Sequence, residues 1–140
     1  MAKLIFVNLP VTDLARSIAF YKAVGAEQNM QFSDETAACM VISDTIHVML
    51  LTHPKFQHFT QRRIIDAKTE VQVLLCLNEE SREGVDAIVA KAGAAGGGMD
   101  PNATQDYGFM YGRSFDDPDG HIWEIMWMDM AGFEAAQRAG

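Results

Sequence analysis

Hydrophobic and polar positions form a strand, a helix and two more strands in the first part of the chain. Residues 3–9, KLIFVNL, are rich in β-branched and aromatic residues and stop at a proline, which predicts a strand. Asp13 is a candidate N-cap, and the apolar residues behind it recur at helical spacing up to residue 25. The apolar runs TAACMVIS (36–43) and TIHVMLLT (45–52) predict two further strands around a short turn.

The same order of elements begins again in the second part of the chain. Residues 71–77, VQVLLCL, predict a strand, and an apolar face ending at Gly93 predicts a helix. GFMYGRSF (108–115) and HIWEIMWM (121–128) predict two strands on either side of the turn DDPDG.

This restart is interpreted as an internal repeat. Gly25-Ala26 recurs as Gly93-Ala94, 68 positions later, and Leu9-x-Val11 recurs as Leu75-x-Leu77, 66 positions later. Each copy exposes an apolar sheet face that must be covered, so two copies are expected to share a core or a cleft. The sequence therefore predicts a single domain over residues 1–140 with two modules, 3–52 and 70–128.

Alternation along the strands assigns side chains to the two faces of each sheet. Leu75 and Leu77 are predicted to face a helix, while Gln72 faces the other way. The repeat places Phe6 and Asn8 on the corresponding open face. In the last strand, Trp123, Ile125 and Trp127 are predicted on the helix side, which leaves Glu124 on the open face.

Composition limits the classes of partner. The chain has 140 residues, of which 49% are hydrophobic, and a net charge of −8. This acidity argues against nucleic acid and against anionic membrane surfaces, both of which attract basic patches. The two cysteines lie in apolar runs without metal-binding spacing, as expected in a reducing cytoplasm, and no apolar stretch is long enough for a membrane span or a signal peptide.

Two motifs carry a family resemblance. The pattern DL-x-x-S-x-x-FY stands at Asp13–Tyr21, and the pattern DPDG-x-x-x-E stands at Asp117–Glu124. The chain resembles the vicinal-oxygen-chelate superfamily, which contains glyoxalase I, bleomycin-resistance proteins, fosfomycin-resistance enzymes and extradiol dioxygenases, and is most similar to lactoylglutathione lyase-related proteins. The resemblance implies an α+β fold of two βαβββ modules that form a cupped mixed β-sheet with helices on the convex face. It also implies a ligand cleft and a homodimer.

The resemblance further implies a divalent cation held by four inward side chains. Carried over onto this sequence, these positions fall on Phe6, Met49, Gln72 and Glu124. Phenylalanine cannot bind a metal, and a thioether is a poor ligand for hard cations. His47, Gln72 and Glu124 remain as a weak alternative set. We therefore expect no firmly held metal and no ordinary glyoxalase I activity.

Glu124 is the most informative residue of the predicted cleft, as a general base or as a structural carboxylate paired with a cation. If Asp116 lies opposite His121 across the DDPDG turn, Arg113 lies directly opposite Glu124. Arg113 would then either bind an anionic group of a ligand or pair with Glu124.

The predicted function is small-molecule binding in a glyoxalase-like cleft, with lyase or isomerase chemistry as one outcome and non-catalytic sequestration of an antibiotic or metabolite as the alternative. Glu124 is the candidate catalytic residue. The candidate ligand contacts are Arg113, Tyr111, Gln72, Asn8, Phe6, His47, Met49 and Phe109.

Overall fold

The chain divides between Glu70 and Val71 into two compact units in a computed structural model that describes residues 2–139. The first unit consists of β1 (Ile5–Val11), α1 (Leu14–Ala23), β2 (Glu27–Asn29), a 3-10 turn (Met30–Phe32), β3 (Ala37–Val41), β4 (Ile46–Thr52) and α2 (His53–Gln57). The second consists of β5 (Leu75–Asn78), α3 (Arg82–Ala94), β6 (Gly98–Met99), β7 (Gln105–Asp106), β8 (Met110–Asp116), β9 (Ile122–Met128) and α4 (Met130–Ala139).

Each unit contains one mixed sheet of the same topology. The first sheet has the strand order β1-β4-β3-β2, and the second has the order β5-β9-β8-β6, with β7 added to β8. In both, the first and last strands of the module run parallel and the remaining pairs are antiparallel. The α+β fold with two βαβββ modules is therefore confirmed.

The helix after each first strand begins at a side-chain cap. Asp13 caps α1, because its Oδ1 accepts a hydrogen bond from the backbone N–H of Arg16 at 3.0 Å. Ser81 caps α3 through its Oγ, 2.9 Å from the backbone nitrogen of Gly84. The predicted end of this helix at Gly93 is wrong. The helix continues to Ala94, and the left-handed residue that follows is Gly96, with φ +98°.

One face of each sheet packs under its helix. In the first unit the fully buried side chains of this face come from β3, β4 and the end of β1 at Val11, and α1 contributes the buried Phe20 and Tyr21. In the second unit, Trp123 and Ile125 are buried under α3, as the alternation predicted. The opposite face, which we call the open face of each sheet, carries five of the candidate site residues, namely Phe6, Asn8, His47, Met49 and Glu124.

The strand predicted over 71–77 is shorter in the structure. β5 begins only at Leu75, whose partner is Trp123, and β9 itself begins at Ile122. Residues before position 74 therefore run past the end of β9, and Gln72 is an exposed residue in a bend. The prediction of Gln72 on the open face of a strand is wrong.

The two modules are related by 68 positions at this strand, and not by the 66 positions that the match of Leu9 with Leu75 suggested. The caps Asp13 and Ser81 are 68 positions apart, and counting back from them matches Leu9 with Leu77 rather than Leu75. The strand registers agree, because Leu9 pairs with Leu50 and Leu77 pairs with Ile125, all on the helix side.

No helix within residues 2–139 has the length and apolar composition needed to cross a bilayer.

Candidate functional site

Glu124 stands at the centre of the open face of the second sheet. Its neighbours in register are Cys76 on β5 and Ser114 on β8, so the three side chains point to the same side. One step along the strands, Met126 lies between Asn78 and Gly112. The open face of the second sheet therefore carries the carboxylate of Glu124, the thiol of Cys76 and the apolar side chain of Met126. Gly112, beside Met126, has no side chain to cover that part of the face.

Glu124 is partly buried as a residue, and its carboxylate receives no hydrogen bond or ion pair from any residue within 2–139. Its neighbour Ser114 does not supply one, because the Ser114 hydroxyl is engaged with the Asn102 backbone, 3.0 Å from its nitrogen and 3.3 Å from its oxygen. An ionised carboxylate has about four acceptor positions. All hydrogen-bond acceptor positions of the Glu124 carboxylate are therefore available to solvent or to a ligand.

Cys76 carries an exposed thiol next to Glu124. Partial desolvation by the sheet raises the pKa of Cys76, and the negative charge of Glu124 raises it further. The reactive form of cysteine is the thiolate, so this environment disfavours a nucleophilic role. No motif around Cys76 marks it as a functional residue. Its position beside Glu124 follows only from the parallel register.

The prediction that Arg113 lies opposite Glu124 is wrong. In the β8–β9 hairpin Arg113 pairs with Ile125, one residue out of the predicted register, and its side chain therefore lies on the α3 side. There it forms a bidentate contact with Asp100 (3.0 and 2.7 Å) and a third bond to Asp86 of α3 (2.9 Å). Arg113 has no contact with the open face.

Tyr111 and Phe109 also lie away from Glu124. The Tyr111 hydroxyl donates a hydrogen bond of 2.6 Å to Asp86. Phe109 precedes β8 and packs against Phe133 of α4, with ring centroids 5.5 Å apart. Tyr111 and Phe109, two of the candidate ligand contacts, therefore do not lie beside Glu124.

The carboxylates around Arg113 and Arg82 were missed by the sequence analysis. Hydrogen bonds from Tyr111 and Arg113 lower the pKa of Asp86, and the Arg113 hydrogen bonds lower that of Asp100. Arg82 binds Asp106 through two hydrogen bonds of 3.0 and 2.8 Å, which lower the pKa of Asp106 to about 2.

The open face of the first sheet carries the other candidate residues. Phe6 is the register partner of His47, and their rings stack with centroids 4.6 Å apart and an interplanar angle of 17°. Asn8 is the register partner of Met49, on the same face. The Nδ1 atom of His47 is buried and has no hydrogen-bond partner among the residues that the structure describes.

The comparisons with known proteins agree with this architecture. The family model of the Glyoxalase/Bleomycin resistance protein/Dioxygenase superfamily matches residues 3–125. The chain belongs to this superfamily. No curated protein matches the sequence.

Several solved structures superpose over most of the chain. Hypothetical protein SA1046 from S. aureus is 28% identical, with a TM-score of 0.75 over 91% of this chain and 94% of its own. A glyoxalase/bleomycin resistance protein/dioxygenase family enzyme from Burkholderia phytofirmans is 20% identical, with a TM-score of 0.73 over 91% and 99% of the two chains. Fosfomycin resistance protein FosX from Listeria monocytogenes is 21% identical, with a TM-score of 0.64 over 91% of each chain.

The metal site implied by membership of the superfamily does not fit these residues. Because the repeat offset is 68, the position equivalent to Phe6 is Leu74 and not Gln72. The four positions are then Phe6, Met49, Leu74 and Glu124, which supply a single oxygen ligand. Within residues 2–139, no three His, Cys, Asp or Glu side chains are grouped so that they could hold a metal ion.

Proposed function

We propose that the open face of the second sheet binds a small, partly apolar molecule, and that Glu124 accepts a hydrogen bond from it. The observation that carries this proposal is that Glu124 is a partly buried residue to whose carboxylate no side chain or backbone N–H within residues 2–139 donates. Carboxylates held in a sheet are ordinarily paired, because desolvating an unpaired charge is costly. A ligand donor would supply the missing partner.

The charge of this face indicates the class of ligand. Glu124 favours a group that carries N–H or O–H donors, or a positive charge, and it repels anions. Met126 and Ile122 offer an adaptable apolar surface beside it. Two structural relatives bear the name fosfomycin resistance protein. Fosfomycin is an anionic phosphonate, and without a bound cation this face would bind it poorly.

A second candidate function is proton transfer in a lyase or isomerase reaction. A carboxylate with all its acceptor positions open is able to take a proton from a bound substrate, provided that the substrate places the proton within about 3 Å. We rank this reading below binding alone, because Cys76 is the only other titratable side chain in register with Glu124, and its thiol is held protonated.

The experiment is a thermal-shift screen of amines, neutral metabolites and antibiotics, including bleomycin and fosfomycin, followed by titration of each hit. Replacing Glu124 by Gln should weaken binding of a donor-bearing hit by about tenfold or more, since hydrogen bonds to charged groups are worth about 1.5–3 kcal/mol. Equal affinity of E124Q and wild type for every hit would disprove the proposal.

Gly112 provides a variant that tests the place of binding without touching Glu124. A Cβ on Gly112 would meet only ordinary contacts, the nearest being the Ile125 carbonyl oxygen at 3.7 Å, so G112V is expected to fold. Its branched side chain would project over the face beside Met126 and reduce affinity by about fivefold or more. The matched control is G112A, which adds one methyl group and should have a smaller effect.

We also propose that the protein is a homodimer. Val71 and Val73 are 62% and 56% exposed, lie in a strand-like sequence, and have no strand partner in the part of the chain that the structure describes. Unpaired apolar edges of this kind are usually covered by another chain. Light scattering at micromolar concentration should give twice the chain mass of 15.5 kDa, and a V71D/V73D variant should give the chain mass. A wild-type protein that scatters as a monomer would contradict the proposal.

A further inference from the structure

We propose that the loop after α2 is a docking site for a short acidic segment of another protein, with Arg62 and Arg63 binding its carboxylates and Phe59 contacting an apolar side chain of that segment. We call residues 57–63 the basic loop. The basic loop belongs to the first unit, and the proposal does not rest on the function proposed above.

The charge of the basic loop is opposite to that of the chain as a whole. The chain has 19 Asp and Glu against 11 Lys and Arg, yet residues 45–65 contain no acidic residue. The next carboxylate along the chain, that of Asp66, already accepts a hydrogen bond from the backbone nitrogen of Lys68 at 3.0 Å. The basic loop is therefore a local positive patch in an acidic protein.

The two arginines of the basic loop have no partner of their own. Arg62 and Arg63 are exposed, and neither guanidinium forms an ion pair or a hydrogen bond with any residue within 2–139. Arg82 and Arg113, by contrast, are both bound to carboxylates. A guanidinium presents its N–H donors in a planar fork that matches a carboxylate, so these two side chains are available to bind acidic groups of a partner.

Hydrogen bonds fix the shape of the basic loop. The side-chain amide of Gln57 donates to the backbone oxygens of Thr60 and Arg62, at 3.0 and 2.9 Å. The hydroxyl oxygen of Thr60 accepts a further bond from the backbone nitrogen of Arg62 at 3.2 Å. Because the backbone is held before a partner arrives, binding costs less conformational entropy than it would for a free loop.

Phe59 gives the basic loop an apolar point of contact. Its side chain is 69% exposed, and the Lys55 ammonium lies 5.6 Å from the centre of its ring. This cation–π contact favours one position of the ring, and a single ammonium covers only one of the two ring faces. Phenylalanine and arginine are both enriched in protein–protein interfaces. The loop thus combines the two residue types that an acidic and partly apolar segment would contact.

The acidity of the remaining chain discriminates among anionic partners. A membrane surface or a long nucleic acid is an extended array of negative charge, and the net charge of −8 opposes its approach. A short acidic segment carries few charges and is able to contact the basic loop alone. We therefore favour a protein segment over a lipid surface or a nucleic acid.

The test is binding of the fluorescein-labelled peptide EEFEE to the whole protein, measured by fluorescence anisotropy. NMR titration with the same peptide should shift the signals of Phe59, Arg62 and Arg63. The matched peptide QQFQQ lacks the charges and should bind about fivefold or more weakly, as expected for the loss of two exposed ion pairs. The peptide EESEE lacks the phenyl ring and should bind about threefold more weakly than EEFEE.

Variants of the protein separate the basic loop from general electrostatic attraction. R62E/R63E should weaken binding of EEFEE by about tenfold or more, because two attractive pairs become repulsive. K3E/K22E makes the same change in net charge at two other exposed lysines of the first unit, and it should reduce the affinity by less than about twofold because solvent and salt screen distant charges. F59S should weaken EEFEE by about threefold and leave EESEE unchanged.

Three results of these measurements would overturn the proposal. They are the absence of EEFEE binding at millimolar peptide, an equal loss of affinity in R62E/R63E and K3E/K22E, and equal binding of EEFEE and QQFQQ. Phosphatidylglycerol vesicles and duplex DNA are titrated in parallel. Binding of either one more tightly than EEFEE, and its loss in R62E/R63E, would overturn the choice of a protein segment as the partner.

Discussion

Ser114, and not Arg113, lies directly opposite Glu124 across the β8–β9 hairpin. The cause is the turn, where the Asp117 side chain accepts hydrogen bonds from the backbone nitrogens of Asp119 and His121, each at 3.0 Å. The backbone bond from Asp117 to His121 then makes Asp116 pair with Ile122. This shift of one residue sends Arg113 to the opposite face from Glu124.

The position of Arg113 predicts a purely structural effect for its removal. Arg113 joins α3 to the segment before β7 through Asp86 and Asp100, and its side chain is only 20% exposed. Both acids are more exposed, so solvent screens part of the interaction. R113A should lower the free energy of unfolding by about 1–2 kcal/mol in urea denaturation, and R113K should lie between it and wild type.

Ligand binding at Glu124 should be the same in R113A as in wild type, because the two side chains lie on opposite faces of the sheet. The control is E124Q, which should change binding with little change in stability. A loss of affinity in R113A as large as that in E124Q would show that Arg113 contacts the ligand.

The Arg82–Asp106 pair predicts a dependence of stability on pH. Hydrogen bonds from Arg82 lower the pKa of Asp106 from 3.8 to about 2. The Arg82–Asp106 pair therefore stabilises the fold fully at a pH above the pKa that Asp106 has in the unfolded chain. This stabilisation is lost as the pH falls from about 4 to about 2. Wild type should therefore be more stable than D106N at about pH 6, and the difference should shrink by about pH 2.5. Urea midpoints of both proteins measure it, and a constant difference would contradict the assignment.

The sequence was sufficient to predict the fold because the local signals agreed. Alternation placed Trp123 and Ile125 under a helix and Glu124 on the open face, and the capping residue Asp13 marked the start of α1. The two motifs at the ends of the repeats indicated the same superfamily that the family model shows. Each of these inferences depends on periodicity or on a local motif, which a single sequence displays directly.

The candidate site was harder to predict because it depends on register. The hydrogen bonds of the Asp117 side chain inside the DPDG turn set a register that places Arg113 on the face opposite to the predicted one. The modules are related by 68 positions and not 66, so Leu74, and not Gln72, is the residue equivalent to Phe6. Register errors of one residue invert every assignment to a face. Asp86 and Asp100 escaped detection because they approach Arg113 from a helix and a loop that are distant in sequence.

Cys76 provides the most direct chemical test of the open face of the second sheet. Burial raises the pKa of its thiol, and the charge of Glu124 beside it raises that pKa further. E124Q removes the charge, so more thiolate should be present at about pH 8 and alkylation by iodoacetamide should be faster than in wild type. Intact-mass spectrometry follows the reaction, and C76S should show no fast labelling because Cys39 is buried. Identical alkylation rates in E124Q and wild type would mean that Glu124 and Cys76 do not share this face.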